Sequence, residues 1–398
     1  MRVAIVTSFP RDLSKPQGGV EAVSVNLAKA LSELDGLDIH VVTCDSTVSS
    51  ADTTSLSKVT VHRLPAPKGS MLVNAITTGR RAVCDYLRML KPEVVHSHDT
   101  YGLMVKGLSL PRVFTVHGFI YGDTLVSGAR LPWLRAALWK LAETRGWADQ
   151  PHIISISPYV RERISGFVKG TIHDIENPIA ESFFKVERQE KPGVIFSAAV
   201  IAPRKNTLAL VDAIVILARQ GVDVRLRLAG KVVDPDYGKA VQARIDANGL
   251  RENVVLLGSI GLNQVQAELA QASMFALASL EENAPLGIEE AMAVGVPVVA
   301  SNRCGMPYMV RHGETGFLVN PFDPHSIASR IRQLLRSQSL RETMGERSRE
   351  FALERFHPDR VAALTREVYR EAFEKKSVCG SLYTRFGLSG GRSNLENL

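Results

Sequence analysis

The chain alternates twice between short apolar runs of strand length and amphipathic segments of helix length. That alternation most constrains the fold. Returning to a parallel strand requires a crossover of about a dozen residues, usually a helix, so repeated strand–helix units imply parallel α/β sheets. The first round opens with a strand at 2–7, then a loop and a helix from about 20 to 34, with further strands at 39–43, 94–97, 112–116 and 153–156. The second opens with a strand at 193–199 and continues through helix 207–220, strands 223–229 and 254–257, helix 263–271 and strand 274–278. Residues 181–192 are charged and aperiodic, as expected of a linker. A length of 398 residues exceeds one ordinary core and suits two domains, placed at 1–185 and 186–356. Helices follow at about 324–336 and 340–354, and Pro358 starts a last helix to about 375. The tail 377–398, rich in Gly, Ser and Asn, reads as mobile.

Composition narrows the classes. Hydrophobic residues make up 45% and aromatics 6%, as in a soluble globular protein. Cys44, Cys84, Cys304 and Cys379 are far apart and form no CxxC pair, which argues against a zinc site or a disulfide frame. The opening segment reads as a strand rather than a cleavable leader, so a cytoplasmic protein is expected, with the inner face of a membrane left open. A formal net charge of +7 suits an anionic partner. No nucleic-acid module is visible, and the phosphates of a small molecule explain the charge most simply.

The most informative segment is 279–301, Ser279-Leu-Glu-Glu-Asn-Ala-Pro-Leu-Gly-Ile-Glu-Glu-Ala-Met-Ala-Val-Gly-Val-Pro-Val-Val-Ala-Ser301. Its turn signals predict a helix starting at Asn283-Ala284-Pro285, with Pro285 in the first turn, closed by Gly295 and stopped by Pro297. A buried parallel strand follows. Glu282 then sits at the helix mouth and Glu290 about one turn inside. The free amides of Leu286 and Gly287 favour a phosphate, and a carboxylate beside them suits sugar hydroxyls. Glu289, about 100° around the helix from Glu290, is expected to point away.

Glu282 and Glu290 are separated by seven residues, and the segment resembles the Glu-x7-Glu signature of retaining glycosyltransferases with two facing Rossmann-like domains, the GT-B architecture, family 4. The resemblance covers about residues 1–375 and rests on several ordered motifs. Lys15-Pro16-Gln17-Gly18-Gly19-Val20-Glu21 follows the first strand, where paired glycines let backbone amides approach a ligand. Its Gly-Gly-x-Glu form resembles the family's loop bordering the diphosphate and the acceptor. Phe114-Thr115-Val116-His117-Gly118 puts a histidine at a strand's carboxyl end, where open α/β sheets bind ligands. It resembles the family's Thr-x-His-Gly, whose histidine touches the transferred sugar. In Val94-Val95-His96-Ser97-His98-Asp99, the resemblance makes His98 an acceptor contact and His96 structural. Ser155, Ser157 and Glu176-Asn177-Pro178 read as strand-end and turn chemistry.

The second domain departs from the pattern. The family's Gly-Arg-x-x-x-x-Lys-Gly falls on Ala199 to Asn206. Lys205 matches the lysine that holds the diphosphate, but Val200 occupies the arginine position, and Ala199 and Asn206 stand where glycines are usual. Arg204 could supply the missing cation. Ile260 matches the strand end that seats the nucleobase, and 306–319 reads as scaffold. The resemblance also implies that the last helix returns to the first domain.

The activity so implied is transfer of a sugar from a nucleotide diphosphate sugar to a sugar, lipid-linked or small-molecule acceptor, in polysaccharide or glycolipid synthesis, with retention and with neither metal nor other cofactor. The alternatives are a sugar-nucleotide epimerase or hydrolase of the same architecture, which would consume donor without acceptor, and a non-catalytic nucleotide-sugar binding protein. A dehydrogenase is disfavoured because no Gly-x-Gly-x-x-Gly fingerprint is present. The segment 132–147, with Trp133, Trp139, Trp147, Arg135, Lys140 and Arg145, is read as core with snorkelling cations, a peripheral membrane contact being the alternative.

Overall fold

The computed structural model describes residues 1–66, 69, 71–126 and 131–385. Among these, fourteen strands form two sheets. The first holds β1 (Arg2–Val6), β2 (Asp38–Asp45), β3 (Asp52–Leu56), β4 (Val59–Pro65), β5 (Val94–His98), β6 (Arg112–Val116), β7 (His152–Ser155) and β8 (Thr171–Asp174), in the spatial order β3-β4-β2-β1-β5-β6-β7-β8. All its pairings are parallel except the β3–β4 hairpin. The second holds β9 (Val194–Ala198), β10 (Arg225–Ala229), β11 (Val254–Gly258), β12 (Met274–Leu277), β13 (Val298–Ser301) and β14 (Gly316–Val319), all parallel, in the order β11-β10-β9-β12-β13-β14. That is the doubly wound order with its switch point between β9 and β12, where a crevice opens at the carboxyl ends of the strands. The first sheet switches in the same way between β1 and β5. These are two parallel-sheet α/β domains.

The central strands are buried on both faces and read as unbroken apolar runs: Val3 to Val6 and Val298 to Ser301 are at most 1% exposed. Gly230 is required by close approach. Its φ is +143°, and a Cβ there would lie 2.0 Å from the Ala199 carbonyl oxygen.

Several boundaries differ from the sequence reading. The last helix runs Pro358–Arg385, so 377–385 continue it rather than forming a tail, and 386–398 lie outside the described residues. It packs Val361, Ala362, Val368 and Tyr369 into the core of the first sheet. In the linker, Glu181–Lys185 forms a 3-10 turn. Phe183 and Phe184, with Ile179, are buried in the second domain's core, because two large aromatics next to a sheet gain more from burial than a solvated linker would. The motif helix spans Leu286–Val294, with Pro285 extended before it rather than inside its first turn.

Candidate active site

The site forms where strand ends of the two domains face each other. After β9, Pro203–Lys205 makes a single 3-10 turn, which presents Arg204 and Lys205 to the loop that follows β12. Lys205 Nζ donates to Glu282 Oε1, and Arg204 Nη1 lies 3.3 Å from the same oxygen. Glu282 is 8% exposed. Burial pushes a carboxyl's pKa up, but Lys205 and Arg204 outweigh it, so Glu282 titrates below its ordinary value. Arg204 thus supplies a second cation beside Lys205 although Val200 cannot. It also donates to the Glu281 carbonyl at 2.8 Å and lies 3.4 Å from Asp123 of the first domain.

His117 stands opposite, one residue past β6. Its Nδ1 is 3.2 Å from Asn177 Oδ1 and its Nε2 is 3.1 Å from His98 Nδ1. An amide oxygen only accepts, so Nδ1 carries the proton and Nε2 accepts from His98. Asp99, at φ +44°, accepts from the His117 backbone amide at 2.9 Å. Burial lowers the pKa of both rings, well below the ordinary value for His98, so both are neutral. His98 is fully buried, which corrects its reading as an acceptor contact: it lies against His117 inside the protein. His96 is fixed by Tyr369 of the last helix and by Thr115, both at 2.7 Å. Histidines at alternate positions of β5 point to one side of the sheet, and that side is covered by protein.

The loop 281–283 joins the domains. Tyr159 donates to Glu281 at 2.8 Å, Ser157 Oγ to the Asn283 carbonyl at 3.1 Å, and Asn283 Nδ2 to the His117 carbonyl at 3.2 Å. The glycine loop closes a third side. A Cβ on Gly19 would meet Leu286 at 3.7 Å, and one on Gly261, next to Ile260, would meet the Ser14 carbonyl oxygen at 3.7 Å. Gly18 and Gly19 are exposed, and Ile260 is partly buried. Gly287 lies where a side chain would strike Phe275 at 2.9 Å, so its lack of a Cβ seats the start of the motif helix against the second sheet. The structure therefore joins Arg204 and Lys205 to Glu282, sets Gly19 beside Leu286 and Gly261, next to Ile260, beside Ser14, ties the His117 carbonyl to Asn283, and buries His98 against His117.

Glu290 is partly accessible, yet burial of its carboxyl pushes its pKa up to about 8. Glu289 departs from expectation. It does not point to solvent: it is fully buried, with neither carboxylate oxygen hydrogen-bonded. Its neighbours Glu176 and Glu290 add to burial in raising its pKa well above the ordinary value. The segment 176–178, read as turn chemistry, packs against that face, which is why the helix has no solvated side there. Asn177 reads as turn chemistry in the sequence, which gives no sign of its hydrogen bond to His117. Asp99, Asn283 and Glu281 were missed, their signal in sequence being that each adjoins a motif residue. Among the described residues one group could hold a metal ion, His152, His173 and Glu371. His152 opens β7, at the end of the sheet opposite His117.

Two facing doubly wound domains, with paired cations and a helix start at the crevice, define a protein of the GT-B architecture. The family model for glycosyl transferases group 1 matches residues 178–351, and that for glycosyltransferase family 4 matches 17–183. The chain belongs to the group 1 glycosyltransferases. It is 25% identical over 364 residues to an uncharacterised glycosyltransferase of Methanocaldococcus jannaschii, covering 89% of this chain and 95% of that one. It is 27% identical over 330 residues to the MMP alpha-(1->4)-mannosyltransferase of Mycolicibacterium hassiacum, covering 79% and 77%. Among solved structures, sucrose-phosphate synthase from Thermosynechococcus elongatus superposes with a TM-score of 0.78 at 19% identity, over 94% of this chain and 99% of that one. Anabaena HepE in complex with UDP and glucose superposes with a TM-score of 0.68 at 18% identity, over 93% and 100%.

Proposed function

We propose that this glycosyltransferase takes its sugar from a nucleoside diphosphate donor and transfers it with retention of anomeric configuration, without a metal. The observation that carries this reading is the cluster of Arg204, Lys205 and buried Glu282, which is one residue along the chain from Asn283, the donor to the His117 carbonyl. Glu282 is the anion that pairs with both cations. A donor diphosphate would take over Lys205 and Arg204, with the helix-start amides of Leu286 and Gly287 adding dipole stabilisation. Glu282, released from its partners, would turn to the sugar hydroxyls, and Glu290 would accept from the ribose. Gly18 and Gly19 would let backbone amides approach the diphosphate from the first domain, and Ile260 would border the base.

His117, held in one tautomer by Asn177, would hydrogen-bond the transferred sugar. The acceptor oxygen would attack the face of the anomeric carbon from which phosphate departs, and the departing phosphate would take the acceptor's proton. Positioning and stabilisation of the leaving diphosphate would supply most of the rate. A nucleotide-sugar donor is supported by the solved complexes of HepE with UDP-glucose and of Arabidopsis starch synthase IV with ADP.

A panel of nucleotide sugars scored by thermal shift tests the donor assignment, since a ligand of the native state raises apparent stability. One donor and its nucleoside diphosphate should stabilise the wild type and fail to stabilise Lys205→Ala. Equal shifts in both proteins would remove Lys205 from the donor site.

A further inference from the structure

We propose that the outer face of helix Pro132–Trp147 is a docking surface for an anionic lipid bilayer. Reading this helix as core holds for Trp147, which is 4% exposed, but not for Trp133, which is 65% exposed. Leu134, Leu138 and Leu141 are 43%, 57% and 51% exposed. At 100° per residue these three span an arc of about 60° on the side facing away from the protein. Trp133 and Lys140 lie about 100° to one flank, Arg135 about 100° to the other, and Arg145 continues the leucine ridge. Leu125, on the preceding helix Ile120–Leu125, adds another exposed apolar side chain.

The charges identify the occupant. The helix has one acidic residue, Glu143, and it points inward, accepting from the backbone amides of Ile120 and Tyr121 at 2.7 and 3.3 Å. Nearby Asp149 is engaged by Lys106 at 3.0 Å. The outward face therefore combines an apolar ridge with cationic flanks and no carboxylate. That pattern fits acyl chains under anionic head groups. A second copy of the same face would bring like charges together. No helix among the described residues is long and apolar enough to cross a membrane, so the contact is peripheral.

The surface has a direct connection to the site. Helix 120–125 follows His117 and Gly118, and its Asp123 contacts Arg204. A bilayer on the outer face would sit beside the first-domain wall of the crevice. That it delivers a lipid-linked acceptor rests on the transfer reaction proposed above. The binding itself does not.

The test is sedimentation of the whole protein with vesicles of phosphatidylcholine alone and of phosphatidylcholine with 30% phosphatidylglycerol (a composition chosen to be on the order of cellular anionic content). Binding to the anionic vesicles alone is expected, weakening as salt screens the charges. The variant Leu134→Gln/Leu138→Gln/Leu141→Gln should bind at least about tenfold more weakly with an unchanged unfolding temperature, since it alters exposed positions. Arg135→Gln/Lys140→Gln/Arg145→Gln should show the same loss. Absence of binding, binding unaffected by both variants, or loss of a dimer in place of vesicle binding would overturn the proposal. None of these readouts requires turnover, so they stand apart from the transfer reaction.

Discussion

Lys205 and Glu282 neutralise each other inside the crevice, 77 residues apart in sequence and joined by a direct hydrogen bond. Their charges are mutually dependent in a site that excludes water. Removing Glu282 leaves Lys205 buried beside Arg204 without that counter-ion, the kind of loss that costs about 3–5 kcal/mol, while removing Lys205 leaves Glu282 with Arg204 alone and should cost less. Lys205→Ala and Glu282→Gln should each lower the unfolding free energy measured by urea denaturation. The double variant should lose less than the sum of the singles, as contacting residues do. Strict additivity would mean that the pair is not formed in solution.

His117 depends on Asn177, and the two can be separated kinetically. His117→Ala should reduce kcat by about tenfold or more, the scale of one lost hydrogen bond to a charged or developing centre, with little change in nucleotide diphosphate affinity. Asn177→Ala should lower kcat in the same direction by releasing the tautomer. Asn177→Asp would accept from Nδ1 equally well and should retain more activity. Single-turnover rates beside calorimetric affinities provide the check. Unchanged rates in both alanine variants would leave the histidine structural.

The three glutamates of the motif should respond differently to pH. Glu290 has a folded-state pKa of about 8, above the ordinary glutamate value of about 4.3. Between those values the folded state holds a proton that the unfolded state has lost, so Glu290 makes stability fall as pH rises from about 4.5 to about 8 and level off above it. Glu289, raised in the same direction, adds to this slope. Glu290→Gln should be more stable than wild type at pH 9, by up to a few kcal/mol, because a tenfold change in proton affinity corresponds to about 1.4 kcal/mol, and Glu289→Gln should shift in the same direction. Both should gain little at pH 4. Glu282 has the opposite sign. Its folded pKa is depressed, so its contribution is present above the ordinary carboxylate range and is lost as pH falls through the folded value. In function, Glu290→Gln should weaken nucleotide binding, Glu282→Gln should slow the chemistry, and Glu289→Gln should leave nucleotide affinity unchanged. Thermal denaturation from pH 4 to 9 and the same binding series decide it.

The sequence reveals the two sheets because their central strands are buried on both faces and leave unbroken apolar runs. It hides the β3–β4 hairpin because Asp52-Thr-Thr-Ser-Leu56 is almost wholly exposed and lacks alternation. It also hides helix Pro235–Ala247, which buries just Val241 and Ile245. The residues around the crevice are legible where chemistry fixes spacing along one element, as with Glu282 and Glu290. They are not legible where two chain-distant elements meet. Asn177 beneath His117 and Glu281 against Tyr159 follow from the docking of the domains. The side that Glu289 faces follows from the packing of 176–178, and the exposure of Trp133 from which side of its helix meets the sheet. None of these is encoded in local periodicity.

The proposed function has Arg204, Lys205, Glu282 and His117 together hold a nucleoside diphosphate sugar for same-face transfer. Proton NMR of the anomeric centre in donor and in freshly formed product, run with excess chelator, tests that assignment most directly. The product should carry the donor's configuration, and the rate should be undiminished. An inverted centre, or activity lost to chelator and restored by magnesium, would contradict it.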